Sequence, residues 1–585
     1  MKSKKSYIIL VVSIISFGLL LVGGTYAYLS FTANVTNAVY NGATTCFDID
    51  YDITNDDGTL PITGTLFQSS TPKGGLSGKV TMNIKSNCNI SEGNGTIKLN
   101  VANTTSSLLL SDGALKYAVY ENVNSDPVSE GVISATGDMV IYQNFTVTHD
   151  LKSYYIYIWL DGNIADNEYV NLPFDGSISA SATQINKNEE IPELDDGMIP
   201  VKIANNGTVT TVSSTDSTWY NYSNKVWANA VLVKASGTKT RDYYKSNPGT
   251  VVSEDDILAY YVWIPRYKYK IWTTSTGSSP QTINIEFENK TAPVSSGTTV
   301  GSWRTHPAFI WDGNTVAGIW VGKFETSHST LSSSTTSNNL SCTDENCTNA
   351  DGLIIKPNVV SLRRNSVSNQ FYASRSMSRS SNPFGFNATT TDTHMMKNSE
   401  WGAVAYLSHS EYGINGEIRI NNNSSYTTGC GASSANGSST SSCEIAYAGS
   451  SIYPQSTTGN ISGVFDMSGG AYEYVMGNYN NTISAARFTT MPASKYYDVY
   501  LSTQFTGNYS TNMSLCTIET CGGHALFETA GWYSDYQDFV YADYPWFGRG
   551  GFHSHGSSAG VWYSYYYGGN ATIRDGFRSV AIVGA

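Results

Sequence analysis

Cysteine is the most reactive residue type in this sequence, and its eight copies fall into four couples of neighbouring cysteines, three of which are close along the chain. In an exported protein, an even number of cysteines in such couples predicts disulfides that pin loops. A zinc site is the alternative, but the Ser-, Thr- and Asn-rich surroundings and the lack of a CxxC pair or adjacent histidine disfavour it. We therefore expect disulfides, with connectivity left open, from four couples: Cys46 with Cys88, Cys342 with Cys347, Cys430 with Cys443, and Cys516 with Cys521.

Two histidines near the C-terminus could also bind a metal ion. His553 and His555 are two positions apart, which would place both on one face of a strand. No third ligand is evident in the sequence, and pairs of loop histidines are more often exposed to solvent. We predict no metal site and no cofactor.

The first 29 residues have the pattern of an export segment. Three lysines precede an apolar stretch from Tyr7 to Val22, and small residues follow up to Ala27. The sequence leaves open whether residues 1–29 are a cleaved signal peptide or a single membrane anchor. Under the positive-inside rule everything after residue 30 faces outward, so we expect an extracellular or cell-surface protein.

The composition favours a β-rich exported protein and excludes a nucleic-acid partner. Charged residues make up 14% of the chain, against roughly 25% in an average soluble protein. The net charge of −13 argues against a phosphate-backbone ligand, which requires a basic face. A chain of 585 residues exceeds the size of one core, so we expect roughly two or three domains.

Residues 30–185 alternate apolar and polar side chains between regularly spaced turn signals. Segments such as 80–85, 96–101 and 154–160 are rich in β-branched and aromatic residues, which predicts an antiparallel β-sandwich. Together with Gly24–Ser30, the segment that leads into it, this region resembles the TasA/camelysin class of secreted β-sandwich proteins of Gram-positive bacteria.

Residues 186–255 are predicted to form a linker and a small β module. The stretch Asn186–Gly197 is acidic and poor in structural signals, and the short strands that follow carry Trp219 and Trp227 as expected core residues. The sequence leaves open whether these strands form a module of their own or open the next region, residues 256–585.

Residues 256–585 are predicted to contain aromatic-rich strands and at least one helix. Tyr261–Tyr267 and Gly318–Glu325 have the pattern of strands. Asn398–Leu407 has the pattern of a helix with Asn398 as its N-cap and apolar residues on one face.

Further motifs lie at Gly463–Tyr474, Arg549–Gly551 and Gly576–Arg578. Taken in chain order, these motifs and the segments at 261–267, 318–325 and 398–407 resemble the formylglycine-generating enzyme (sulfatase-modifying factor) domain, a variant of the C-type lectin fold. The family's Asp-Met pair is matched by Asp466-Met467, and its aromatic-Glu-aromatic triplet by Tyr472-Glu473-Tyr474. The resemblance implies an α+β protein in which a C-type-lectin-like domain follows the all-β sandwich.

The charged residues of these motifs are expected to be structural. We expect Glu473 to accept backbone or arginine hydrogen bonds in the core, and Arg549 and Arg578 to anchor loops through carboxylates. Enzymes of this family oxidise a substrate cysteine with a pair of copper-binding cysteines just before the closing Gly-Phe-Arg. Here the last cysteine is Cys521. The chain lacks that thiolate chemistry, and we predict that it is not an enzyme.

The segment between the two closing motifs has the composition of a recognition surface. Tyr563–Gly568 is rich in Tyr, Ser and Gly, as antibody paratopes are. The segment resembles that of the variable proteins of diversity-generating retroelements, which use this lectin-like fold and randomise a C-terminal segment at template adenines. Adenine changes in an Asn codon cannot produce a Trp codon, so we expect Trp562 to belong to the constant scaffold of the segment. The implied ligand contacts are Phe552, His553, Ser554, His555, Tyr563, Ser564, Tyr565, Tyr566, Tyr567, Thr572, Ile573, Arg574 and Asp575.

The expected function is therefore display of a diversified binding surface. The partner would be a protein or glycan on another cell, a phage or a host surface, together with the membrane if the N-terminal helix is retained. A fixed-specificity adhesin and a pilus-like structural surface protein are the alternatives. A formylglycine-type oxidoreductase is the least favoured function.

Overall fold

The computed structural model describes residues 47–52, 61–66, 68–85, 92–122, 126–169, 172–185, 191–272, 278–335, 340–435 and 437–584. They form two compact units, divided between residues 187 and 188. The export segment expected at residues 1–29 lies outside the described residues, and so do Cys46 and Cys88. Within the described residues, no helix combines the length and apolarity that a bilayer crossing requires.

The first unit is built from β-strands. They are β1 Phe47–Asp52, β2 Pro61–Thr65, β3 Gln68–Ser69, β4 Leu76–Ile84, β5 Glu92–Val101, β6 Leu115–Tyr120, β7 Ser129–Val132, β8 Gly137–Val147, β9 Lys152–Asp161 and β10 Pro173–Ile185. One sheet has the order β1-β4-β9-β6-β7 with β3 beside β9, and the other has the order β2-β10-β5-β8. The pairing of β3 with β9 is parallel and the long strands pair antiparallel.

Alternating side chains explain how the two sheets pack. In β4, Val80, Met82 and Ile84 are buried while the residues between them are half-buried. Each sheet thus offers one apolar face, and both faces contribute to one core, with Ile156 from β9 and Ile178 from β10. The described part of residues 30–185 is a β-sandwich, as its period-two pattern predicted.

The second unit combines many strands with a few helices. Its strands are β11 Met198–Ile203, β12 Val209–Thr211, β13 Asn229–Val233, β14 Ile257–Pro265, β15 Tyr267–Lys270, β16 Asn284–Phe287, β17 Arg304–Thr305, β18 Ile310–Trp311, β19 Asn314–Thr315, β20 Gly318–Gly322, β21 Ser327–His328, β22 Leu353–Ile354, β23 Thr391–Met395, β24 Tyr472–Tyr479, β25 Asp498–Tyr500, β26 Trp546–Gly550, β27 Gly560–Tyr567, β28 Asp575–Phe577 and β29 Ser579–Val583. Its helices are α1 Arg241–Ser246, α2 Val367–Ser376, α3 Asn398–Ser408, α4 Tyr509–Asn512 and α5 Ile518–Cys521.

Two sheets organise this unit. The larger is antiparallel with the order β12-β11-β13-β14-β20-β29-β23, and the smaller has the order β25-β24-β26-β27 with β28 beside β24. Because β13 pairs with β14, the boundary expected at residue 256 falls inside the larger sheet. Residues 198–233 therefore open the second unit and are not a separate module. Trp219 and Trp227 are buried there, as expected.

Helix α3 carries a different cap from the one its sequence predicts. The helix begins at Asn398, but Lys397 holds the N-cap position, because the Glu400 side chain accepts a hydrogen bond from the Lys397 amide at 2.7 Å. Every residue of α3 is buried, including those outside the face formed by Trp401, Val404 and Ala405. Trp401 donates its indole N–H to the carbonyl of Val561 at 2.8 Å, which ties α3 to β27.

Candidate functional site

Strand β27 positions the tyrosines of the closing segment against β26. The antiparallel pairing sets Tyr567 opposite Trp546. Alternation along the strand places Tyr563, Tyr565 and Tyr567 on one face, but the ring of Tyr566 stacks on that of Tyr565, with centroids 4.4 Å apart. Burial falls along the strand, and the last three tyrosines are half-buried.

Tyr563 belongs to the interior. Its side chain is 2% exposed and packs with Tyr472 and Phe552 in a small aromatic cluster. Tyr565 and Tyr567 are half-buried at the edge of that cluster. This corrects the expectation that Tyr563 contacts a ligand, because the cluster already covers its ring.

Three further expected contacts are also buried. Phe552 packs against Tyr472 with ring centroids 5.0 Å apart. The Ser564 hydroxyl donates to the carbonyl of Asp538 at 2.9 Å. Asp575 accepts a hydrogen bond from the Thr572 hydroxyl at 2.5 Å, and burial raises the pKa of its carboxyl to about 7. The structure assigns these side chains to packing and internal hydrogen bonding.

The other expected contacts reach the surface to different degrees. Ser554, Ile573 and Arg574 are exposed, and His553, His555, Tyr565, Tyr566, Tyr567 and Thr572 are half-buried. Thus the closing segment contributes both exposed and half-buried side chains to one region of the second unit.

Four tyrosines that are not among the predicted contacts lie beside this region. The ring centroid of Tyr566 is 5.0 Å from that of Tyr509 and 5.4 Å from that of Tyr544. The ring of Tyr565 is 5.9 Å from that of Tyr536. The tyrosine density of residues 536–544 was the signal available for three of the four. We define the tyrosine surface as Tyr509, Tyr536, Tyr541, Tyr544, Tyr565, Tyr566 and Tyr567.

Backbone and amide hydrogen bonds fix the segments that carry this surface. The amide of Phe539 donates to the carbonyl of Tyr509 at 3.1 Å. The Asn512 side chain donates to the carbonyl of Val540 at 3.0 Å, which joins α4 to the same segment. The Cys516–Cys521 disulfide closes the turn around α5. These bonds hold the chain segments that carry the tyrosine rings together.

The tyrosine surface has little charge of its own. The Tyr536 hydroxyl donates to the Asp538 carboxylate at 2.8 Å, and this bond, followed by burial, raises the pKa of Tyr536 to about 12. Its hydroxyl therefore stays protonated at neutral pH. In the closing segment, the guanidinium of Arg574 lies 4.7 Å from the ring centroid of Phe552.

The two histidines of the closing segment have separate partners. The Nε2 atom of His555 is 2.9 Å from the Tyr472 hydroxyl, and the Nδ1 atom of His553 is 2.7 Å from the Ser439 hydroxyl. Burial lowers the pKa of His555 to about 4, so its ring is neutral at neutral pH. The part of the chain that the structure describes contains no group of three or more His, Cys, Asp or Glu side chains arranged to hold a metal ion.

The charged motif residues have structural positions. Arg578 forms a buried ion pair with Glu473, as expected. Arg549 is also buried, but it donates to the carbonyl of Ala525 at 2.8 Å, and no carboxylate holds it within the described residues. This corrects the expectation for Arg549. Burial lowers the pKa of its guanidinium to about 9.

Three of the four predicted cysteine couples form disulfides. They are Cys342–Cys347, Cys430–Cys443 and Cys516–Cys521, all in the second unit, and each closes a short loop. Sequence-local pairing is therefore confirmed for every cysteine that the structure describes. Such disulfides are typical of proteins that work outside the cytosol.

The fourth predicted couple differs from these three. Cys46 and Cys88 both lie outside the described residues. The pairing of Cys46 with Cys88 stays a prediction.

No protein-family model matches the chain, and no curated protein matches it. Among solved structures, part of the chain is similar to a family two carbohydrate esterase from Cellvibrio japonicus, with 9% sequence identity and a TM-score of 0.12. The match covers 26% of this chain and 37% of the esterase, so it spans well under half of either protein. A likeness this weak carries no argument about fold or activity.

Proposed function

We propose that the second unit is an extracellular binding module that contacts a protein or glycan ligand through the tyrosine surface. The observation that supports this most directly is the convergence of seven tyrosines from separate chain segments. Tyr509, Tyr536 and Tyr544 are exposed, and Tyr536 shows the largest exposed fraction of the set at 46%. Large contiguous apolar patches on the surface of a protein commonly mark binding sites.

Tyrosine suits such a surface for physical reasons. Its ring supplies broad contact area and its hydroxyl a hydrogen bond, while few rotatable bonds are immobilised on binding. The rings of Tyr565 and Tyr566 are stacked at 4.4 Å, so part of the surface is already ordered before a ligand arrives. Preorganised aromatic groups are the usual hot spots of interfaces.

The lectin-like fold and the diversification of the closing segment are part of the same proposal. Variation would be tolerated where side chains reach solvent, as at Ser554, Ile573 and Arg574. It would be restricted at Tyr563 and Asp575, which are buried. A reverse transcriptase gene beside this gene, with a near-copy of its 3′ end that differs only at adenines, would establish diversification. Absence of both would leave a fixed-specificity adhesin.

A binding screen tests the proposed function directly. The full chain is applied to a glycan array and to whole bacterial cells, and each signal is repeated with Tyr536→Ala and Tyr544→Ala. We expect both variants to lose most of the signal. Tyr243→Ala, which removes an exposed tyrosine from α1, is the matched control and should bind like the native protein. Binding that survives both substitutions would contradict the proposal.

Two further assays separate the alternatives. A sulfatase-motif peptide incubated with the protein should show no aldehyde mass change, and such a change would instead indicate a formylglycine-type oxidoreductase. Electron microscopy of the purified protein should show separate particles, and filaments would favour a pilus-like structural role.

A further inference from the structure

The second unit contains a cavity of about 300 Å³ that shares no residue with the tyrosine surface. It lies between described residues of 269–272 and 278–304 on one side and residues of the segment 518–530 on the other. Its volume is at the lower end of the range of small-molecule sites, roughly 300–1,000 Å³. The cavity can hold a ligand about as large as an amino acid.

The walls of the cavity are mainly apolar. Ile271, Trp272, Val300, Ile518 and Phe527 line it. Val300 and Phe527 are 42% and 37% exposed, so apolar surface faces solvent at the cavity. Burying such surface would favour binding of an apolar group.

One buried carboxylate lines this apolar cavity. Glu528 is 7% exposed. Its Oε2 atom accepts hydrogen bonds from Tyr406 at 2.6 Å and from the Gly523 amide at 2.9 Å, and both of its oxygens are near the Tyr269 hydroxyl, at 3.0 and 3.1 Å. Among the described residues the Oε1 atom accepts a hydrogen bond only from Tyr269.

Glu528 forms no ion pair with any residue that the structure describes. A carboxylate removed from water normally has a cationic partner, because desolvation of a lone charge is costly. Here the hydrogen-bond partners are neutral hydroxyl and amide donors. Burial raises the pKa of Glu528, and the hydrogen bonds from Tyr406, Gly523 and Tyr269, with a smaller contribution from the charge of Arg304, offset this rise only in part. A ligand that brings a cationic donor to Glu528 would therefore stabilise its charged form.

A cationic side chain lines the same cavity. The guanidinium of Arg304 donates to the carbonyl of Gly297 at 3.3 Å and forms no ion pair within the described ranges. The cavity thus combines apolar walls with one anionic and one cationic group that are not in ion-pair contact with each other. A simple cation would meet Arg304 unfavourably, and a simple anion would meet Glu528 unfavourably.

We propose that this cavity binds a zwitterionic ligand with an apolar side chain, such as a free amino acid. The ligand's ammonium group would donate to Glu528, its carboxylate would accept from Arg304, and its side chain would pack against Trp272 and Phe527. Each charge of the cavity then gains an opposite partner, and charge-assisted hydrogen bonds of this kind are the strong ones.

Calorimetric titration of the full chain with three probes tests the proposal. L-Phenylalanine carries both charges, L-phenylalaninamide lacks the carboxylate, and 3-phenylpropionate lacks the ammonium group. We expect phenylalanine to bind about tenfold or more tightly than either analogue, because each analogue leaves one charge of the cavity unpaired.

Two substitutions assign the charges to the residues. Glu528→Gln should weaken phenylalanine binding about tenfold and tighten 3-phenylpropionate binding, because it removes the carboxylate that this anion meets unfavourably. Arg304→Gln should weaken phenylalanine binding similarly and tighten phenylalaninamide binding, because it removes the guanidinium that this cation meets unfavourably. Glu345→Gln and Arg487→Gln alter exposed residues outside the cavity lining and should have no effect on any probe.

Thermal unfolding of each variant identifies any that fails to fold, and the probe-selective pattern cannot arise from general destabilisation. Equal affinity for all three probes, or no measurable binding of phenylalanine, would overturn the proposal. Neither result bears on the tyrosine surface, since the two sites share no residue.

Discussion

The guanidinium of Arg578 holds the carboxylate of Glu473 in the interior of the second unit, with Nη2 2.5 Å from Oε1 and Nε 3.0 Å from Oε2. Arg578 also donates to the carbonyl of Gly322 at 2.8 Å. Glu473 lies in β24 of the smaller sheet and Gly322 in β20 of the larger one. One side chain therefore links the two sheets.

Loss of one member of this pair should be strongly destabilising. Arg578→Met leaves the Glu473 carboxylate buried and unpaired, and we expect a loss of about 3–5 kcal/mol in the free energy of unfolding. The double variant Glu473→Gln/Arg578→Met should recover part of that loss. Denaturant titration measures each value. Lys268→Met, which breaks a solvent-accessible pair with Glu286, should cost about 0–1 kcal/mol.

Asp575 should make stability depend on pH in a defined direction. Its pKa is raised to about 7 in the folded protein, so the unfolded chain releases this proton first as pH rises. The contribution of Asp575 to stability is therefore present at low pH and lost as pH rises to about 7. Relative to the native protein, Asp575→Asn should gain stability as pH increases from about 4 to about 7.

Unfolding free energies at several pH values check this prediction. Asp543→Asn, a change at an exposed carboxylate, is the control and should run parallel to the native curve. A constant difference between the Asp575→Asn and native proteins across this range would be evidence against the raised pKa.

The two disulfides with a sequence separation of 5 should differ in their effect on the tyrosine surface. Removing either by Cys→Ser changes should lower stability by about 2 kcal/mol, because both constrain loops of the same length. Only loss of Cys516–Cys521 should increase hydrogen exchange in residues 509–544. Loss of Cys342–Cys347 serves as the matched comparison. Equal hydrogen exchange of residues 509–544 in the two variants would show that the Cys516–Cys521 disulfide does not stabilise the segments that carry the tyrosine surface.

Tyrosines of the closing region should separate into structural and exposed groups. Tyr563→Ala removes a buried ring and should cost about 3–5 kcal/mol. Tyr536→Ala removes a ring that is 46% exposed, and its cost should be about 0.5 to 1 kcal/mol. Chemical denaturation measures both. Similar losses would mean that Tyr536 is part of the core and not of a recognition surface.

Several elements could be predicted because their signal is local. The alternation of Tyr154–Leu160 predicted a strand, and the structure has β9 there. The pattern from Asn398 predicted a helix, and α3 begins at that residue. The close spacing of cysteines predicted the three disulfides of the second unit. Each of these depends on neighbouring residues in the chain, which the sequence displays directly.

Burial in the closing segment could not be predicted in the same way. Tyr563 and Tyr565 are equivalent in the alternation of β27, yet the first is buried and the second half-buried. The difference arises because Tyr472 and Phe552 cover Tyr563. Alternation along a strand predicts which side chains share a face. Packing by other segments of the chain determines how deeply each of them is buried.

The sequence by itself determined the β-rich character, the local disulfides and the tyrosine-rich composition of this protein, since these follow from residue type and short spacing. The tertiary structure alone decided that residues 198–233 join the larger sheet, that Tyr509 and Tyr536 lie beside the closing segment, and that Glu528 and Arg304 line one cavity. Those relationships join residues far apart in the chain, and they arise only when long-range packing buries enough apolar surface to hold the segments together.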